Sequence, residues 1–142
     1  MPAKSNEDVI LDLFSAIEDR DVERILAIYD PEVEFHWPAS LPYSGGGLRE
    51  PGIPTWQDSW LPVQPTAAER SLGVRIIASR GDEVVALYHQ RGRDQNGNVV
   101  DDEVIGLYNL AGGKLRRAQM FHFNIEAVLS FLAKTSPPAD SR

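Results

Sequence analysis

The sequence predicts an α+β domain in which helices cover one face of a curved antiparallel sheet. Three observations predict it. The apolar residues near the N-terminus recur at three- and four-residue spacing, those of residues 72–123 fall in β-rich runs, and short Gly- and Asn-bearing turns punctuate those runs.

The chain has 142 residues, the size of one domain, with enough length to bury a core. It has no cysteine, which excludes a disulfide framework, a cysteine-ligated zinc and a cysteine nucleophile. Lys and Arg number 14 against 21 Asp and Glu, and the net charge of −7 disfavours nucleic acid and acidic membrane surfaces. No apolar run reaches the length of a membrane span, and Met1 to Asp8 lacks the apolar core of a signal peptide, so a cytoplasmic protein with no membrane partner is expected.

Taken in order, Ser5 or Asn6 caps a first helix. Glu7 and Asp8 suit the positive end of its dipole, and Val9, Ile10, Leu13, Phe14 and Ile17 form its core stripe to about Asp19. Asp21 caps a second helix, carrying Val22, Ile25, Leu26 and Ile28-Tyr29, which Pro31 ends. Val33, Phe35 and Trp37 alternate with Glu34 and His36 in a short strand before Pro38. Residues 38–52, rich in Pro and Gly and bearing Leu41, Tyr43 and Leu48, read as a pocket rim. Pro54 opens a third helix, Thr55 to Leu61, with Trp56 and Trp60 on one face, either packed on the sheet or lining a pocket.

An irregular link, residues 63–70, leads into a strand over 72–79. At Arg80-Gly81-Asp82-Glu83 the Gly-Asp pair serves a tight hairpin rather than integrin-type recognition. Two more strands follow, joined at Asn96-Gly97 and Gly112-Gly113. Asn124 caps a last helix, Ile125 to about Ala133. Residues 1–4 and 135–142 read as disordered flanks of a single domain, 5–134.

Taken as two-residue turns, Asn96-Gly97 and Gly112-Gly113 set a register in which Arg91 lies opposite Asp102 and His89 is diagonal to it. Val85, Leu87, His89, Arg91, Asp102, Val104, Gly106, Tyr108, Arg117, Gln119, Phe121 and Phe123 are then expected on the face against the helices. Tyr88, Ile105, Leu107 and Met120 form an apolar patch on the outer face, suited to a homodimer.

The inward polar group points to acid–base chemistry. His89 would act as base with Asp102 orienting it, while Arg91, Gln119 or Tyr108 polarises a ligand oxygen. Alternatively Arg91 and Asp102 are a structural ion pair and His89 a wall residue. Gly106 leaves room in the cavity. Trp37, Tyr43, Trp56, Trp60, Phe121 and Phe123 are the aromatic lining, and a small hydrophobic molecule is the expected partner. Three dispersed histidines without recurring carboxylate spacing predict no metal site, and no Gly-rich loop joins a strand to a helix, so no cofactor is expected.

The run Asp21-Val22-Glu23-Arg24-Ile25-Leu26-Ala27-Ile28-Tyr29-Asp30-Pro31-Glu32-Val33-Glu34-Phe35-His36-Trp37-Pro38 resembles the helix-to-strand signature of the nuclear transport factor 2-like superfamily. Leu41-Pro42-Tyr43-Ser44-Gly45-Gly46, Gly113-Lys114-Leu115 and Phe121-His122-Phe123-Asn124-Ile125 resemble its SnoaL-like branch. The resemblance spans about Ser5 to Ala133. It implies a cone-shaped sheet with three N-terminal helices on its concave face, a deep apolar cavity, and commonly a homodimer. The superfamily holds ketosteroid isomerases, limonene-epoxide hydrolases, polyketide cyclases and non-catalytic binders, so fold alone does not select an activity.

The isomerases' carboxylate base falls at Trp37, their oxyanion-hole tyrosine at Leu13 and their oxyanion-hole aspartic acid near Gly106, so isomerisation of that known type is not expected. The hydrolases' last-strand aspartate falls at Phe121. What the resemblance implies is cofactor-independent isomerase, cyclase or hydrolase chemistry on a small hydrophobic carbonyl or polyketide-like compound, or binding of such a compound alone.

Overall fold

A computed structural model describes residues 4–41 and 59–135. The Asp8 amide donates to Ser5 Oγ at 3.1 Å and opens α1, Asn6–Glu18. The Arg24 amide donates to Asp21 Oδ1 at 3.2 Å and opens α2, Val22–Ile28. The chain passes directly into β1, Tyr29–His36, so Pro31 lies inside a strand instead of between elements. It is tolerated because β1 is an edge strand and its pairing is irregular between Tyr29 and Glu34.

Of the expected third helix, residues 55–58 lie outside the described residues. Ser59 and Trp60 are helical and lead into a 3₁₀ turn, Leu61–Val63. The link expected to be irregular contains a short helix, α3, Ala67–Arg70. Glu69 Oε1 accepts from the Thr66 amide at 2.9 Å, the return bond of the capping box that a Thr-x-x-Glu spacing permits, and from Thr66 Oγ1 at 2.6 Å. Next come β2, Arg75–Arg80, β3, Glu83–Arg93, β4, Val99–Ala111, β5, Lys114–His122, and α4, Ile125–Thr135. The Ala127 amide donates to Asn124 Oδ1 at 3.1 Å at the start of α4.

The five strands order as β1-β5-β4-β3-β2. β2 to β5 form the antiparallel meander, but β1 runs parallel to β5, so the sheet is mixed. No hairpin reports a parallel pair between strands so far apart in the chain.

Register departs from the expectation at two places. Asp94 Oδ1 accepts from the Asn96 and Asn98 amides, each at 2.9 Å, and Asp94 Oδ2 accepts from Asn98 Nδ2 at 2.7 Å. That side chain closes a loop over residues 95–97, one residue longer than a two-residue turn, with Gly97 in the left-handed region at φ +86°. Arg93 therefore pairs with Val99, Arg91 with Asp101 and Gln90 with Asp102. At the second turn Ala111 pairs with Lys114 as a two-residue hairpin requires, but Leu110 pairs with Leu115 and Asn109 with Arg117, leaving Arg116 as a bulge.

A shift of one residue moves every side chain of a strand to its other face. Of β3, β4 and β5, only β4 keeps the expected assignment, with Asp102, Val104, Gly106 and Tyr108 inward. On β3 the inward residues are Val84, Ala86, Tyr88 and Gln90, and His89 and Arg91 point outward. On β5 Ala118, Met120 and His122 point inward, and Arg117, Gln119 and Phe121 outward. Ile10, Leu13 and Phe14 of α1 join Val84, Ala86 and Val104 in one buried cluster. A second cluster, Trp60, Val63, Val100, Val128 and Phe131, lies where α4 meets the sheet, with the Trp60 and Phe131 rings stacked at 6.0 Å.

Candidate functional site

Between α1, β1 and the inner face of the sheet lies a cavity of about 530 Å³, counting the part open to solvent. Leu13, Phe14 and Ile17 bound it on α1, Tyr29, Phe35 and Trp37 along β1 and just beyond it, and Tyr88, Gln90, Tyr108 and Met120 on the sheet. The alternation of apolar residues in β1 and the helical spacing in α1 aim both sets at the same space.

Aromatic rings form two groups. Phe35 stacks on Trp37 with centroids 5.3 Å apart and planes 15° from parallel, and Tyr29 meets Phe35 at 5.1 Å. Phe14 touches Tyr88 at 4.9 Å and meets Tyr108 edge-on at 6.1 Å. Gly106, expected to leave open room, is covered by the Tyr108 phenol, because a Cβ on Gly106 would overlap Tyr108 Oη. The glycine thus seats a tyrosine beside the cavity rather than enlarging it.

Gln90 is the polar point of the lining. It is 6% exposed, and its Nε2 has no hydrogen-bond partner among the described residues. A buried amide donor left unpaired costs about 1–3 kcal/mol, so an acceptor from outside the chain has something to offer here. Burial, and then the neighbouring Tyr29 phenol, push the Tyr108 hydroxyl far up, so it stays a neutral donor. Among the described lining residues there is no carboxylate, histidine, lysine or arginine.

Adjoining Gln90 on the inner face are two charged-type side chains. His122 Nδ1 and Asp102 Oδ2 are 2.8 Å apart, and each side chain is only 2% exposed. Asp102 Oδ1 accepts from the Asn124 amide at 2.9 Å. Both carboxylate oxygens are thereby engaged, one by the end of β5 and one by the residue that opens α4.

The expected catalytic group is divided between the two faces. His89 and Arg91 lie on the outer face and share Asp101 rather than Asp102, with His89 Nδ1 at 2.8 Å from Oδ1 and Arg91 Nε at 3.1 Å from Oδ2. Partial burial works against ionisation of Asp101. The hydrogen bonds from His89 and Arg91, with their charges, outweigh it and hold the carboxyl below its ordinary range.

Gln119 is also on the outer face, accepting from Arg117 Nη2 at 3.3 Å. Phe121 is 49% exposed and Phe123 85% exposed, so neither lines the cavity, and Trp60 belongs to the second cluster. Trp37 and Tyr108 do line it. Tyr43 and Trp56 lie outside the described residues. Gln90 and His122 were missed by the sequence reading. The signal for Gln90 was Asp94, whose spacing to Asn96 and Asn98 favours an Asp-capped loop over a two-residue turn. Nothing in the sequence announces the Arg116 bulge that turns His122 inward.

No helix among the described residues is long and apolar enough to cross a membrane. A curved, unclosed sheet with helices against its inner face and an apolar cavity between them defines a class, the nuclear transport factor 2-like α+β domains. The sequence profile of the SnoaL-like domain matches residues 10–118, and the chain belongs to that family.

Solved structures of similar fold include TerC co-crystallized with polyporic acid, at 24% identity over 90% of this chain and 98% of that one, with a TM-score of 0.64. A cystatin-like-fold protein of unknown function from Xanthomonas campestris is 19% identical over 91% of this chain and 98% of that one, TM-score 0.72. A putative SnoaL-like polyketide cyclase from Jannaschia is 18% identical over 97% of this chain and 100% of that one, TM-score 0.65. At such identities the likeness is one of fold. No curated protein matches the sequence.

Proposed function

We propose that this SnoaL-like domain holds a small, flat, neutral hydrophobic compound bearing a carbonyl, with Gln90 Nε2 donating to its oxygen. The observation that carries the reading is a buried amide donor without a partner among the described residues, in a described lining that is mostly apolar and carries no charged side chain. Rings on two sides, Phe35 with Trp37 and Phe14 with Tyr88, favour a planar ligand, and the lack of charge among the described lining residues favours a neutral one. The polyporic acid of TerC and the polyketide cyclase of Jannaschia support a carbonyl or polyketide-like class.

On such a ligand Gln90 would stabilise charge developing on the oxygen, the contribution needed for cofactor-independent isomerase or cyclase chemistry. Binding without conversion is the second reading, favoured by a described lining that contains no group able to take a proton at neutral pH.

The bicyclic ketone 2-tetralone is a suitable probe, followed by quenching of Trp37 fluorescence and by thermal shift. Gln90→Leu should leave the free protein as stable or up to about 1 kcal/mol more stable, since it removes an unpaired amide, yet weaken tetralone binding about 10-fold. Unchanged affinity in that variant would remove Gln90 from the site.

We also place a second copy of the chain on the outer face. Val85, Leu87, Ile105, Leu107 and half-exposed Phe121 form an apolar strip across three neighbouring strands there. Tyr88 and Met120, expected in this patch, are inward. Sedimentation should find a dimer that Leu107→Glu converts to a folded monomer; a monomeric parent protein would sink the placement.

A further inference from the structure

We infer that Arg20 and Arg70 form a binding site for a small oxoanion, a carboxylate or a phosphate, where the end of α1 and the end of α3 meet at Gln64. None of these three residues lines the cavity, so the site stands independently of the ligand reading above.

Arg20 follows α1 in a conformation that its residue type does not favour. The Ile17 carbonyl accepts from the Arg20 amide at 3.1 Å and the Ala16 carbonyl from the Asp21 amide at 2.9 Å, a closing turn with Arg20 at φ +57°. Glycine takes such a left-handed position without strain, whereas a residue with a Cβ does not. Every other residue of positive φ among the described residues is a glycine.

The side chain placed in this way reaches Gln64, which gathers two guanidinium groups. Arg20 Nη2 donates to Gln64 Oε1 at 2.6 Å, and Arg70 Nε donates to the Gln64 carbonyl at 3.0 Å. Gln64 is 3% exposed and is itself fixed, its Nε2 donating to the Arg91 carbonyl at 2.8 Å. Two positive charges are therefore held close together. Burial, and then the charge of Arg70, push the Arg20 guanidinium below its ordinary range.

The acidic side chains nearby are committed elsewhere. Asp19 and Asp21 lie 3.1 and 3.9 Å from Arg24 Nη1, Glu18 Oε2 accepts from the Leu72 amide at 2.7 Å, and Glu69 Oε2 accepts from Arg93 Nε at 3.1 Å. Arg20 Nε and Nη1 are buried and have no hydrogen-bond partner among the described residues. Buried donors are nearly always satisfied, and charged donors bind anionic oxygens most strongly. Strain, unpaired donors and a like charge are three costs at one side chain, and an oxoanion offsets the last two. Both arginines are partly exposed, so an ion from solution reaches them. Nε and Nη1 give up no hydrogen bond in turning to it, while Nη2 keeps Gln64.

The test is titration with inorganic phosphate and, separately, with acetate, in chloride-free buffer at constant ionic strength. Calorimetry reads affinity, and the ¹H–¹⁵N signals of arginine Nε read the place of binding. At least one ion should bind saturably and shift the Arg20 signal, and the ion that does so identifies the class. Arg20→Gly, which suits the left-handed turn, should weaken that binding at least about 10-fold, and so should Arg70→Gln. Arg24→Gln, which removes an exposed arginine already paired with Asp19 and Asp21, should leave it within about 2-fold. Binding that does not saturate, an Arg20 signal that does not move, an equal loss in Arg24→Gln, or parental affinity in either folded variant overturns the inference. Each of these leaves the tetralone result untouched.

Discussion

Replacing Asp102 with alanine should destabilise the domain by about 1–3 kcal/mol, the range for leaving a buried polar group without its hydrogen-bond partner. The loss leaves His122 Nδ1 and the Asn124 amide without the carboxylate that held both within 2.9 Å. It also frees the junction of β5 and α4, whose Val128, Phe131 and Leu132 close the second cluster. Urea unfolding followed by tryptophan fluorescence measures the change. The His122→Ala, Asp102→Ala double variant should recover part of it, because the two side chains share one interaction. A cost under about 1 kcal/mol for the single change would mean that the pair does not hold this end of the sheet.

Gly106→Ala should cost about 1–3 kcal/mol and abolish ligand binding together. Propensity alone predicts the opposite sign, since alanine in a strand is favoured over glycine by roughly 0.5–1 kcal/mol. The steric term wins because the new Cβ would overlap Tyr108 Oη and Cζ and lie 2.6 Å from its Cε2. The ring has to leave its buried position against Phe14, and the space open to it is the cavity. Tyr108→Phe in the same chain should not rescue, because the ring carbon still clashes. Tyr108→Leu should restore much of the stability without the binding. Equal stability of Gly106→Ala and the parent protein would show that Tyr108 can move at no cost.

The two predictions concern residues that the sequence reading treated unequally. The turn register puts Asp102 and Tyr108 on the inner face together with Val104 and Gly106, and the faces of β4 are as expected. Gly106 was read as empty space because alternation tells which face a residue is on, not which way its neighbour leans along the strand. His89 and Arg91 were assigned inward by counting from Asn96-Gly97. The count failed by one residue when Asp94 capped a longer loop. The same error hid Gln90, which the correct register puts opposite Asp102.

The sequence by itself determined the class of fold, the two capped N-terminal helices with the core stripe of the first, and the antiparallel meander. Those follow from local preferences: caps satisfy nearby amides, and apolar spacing reports helix or strand. Only the tertiary structure decided which faces meet. Strand registry depends on one extra residue in a loop and one in a bulge. Each is worth little locally, yet the first inverts β3 against β4 and the second inverts β5 beyond Arg116. The parallel pairing of β1 with β5 likewise depends on contacts between distant parts of the chain. That is why the helices and strands were legible, while the placement of Gln90 in the cavity lining, and of Asp102 and His122 on the inner face beside it, was not.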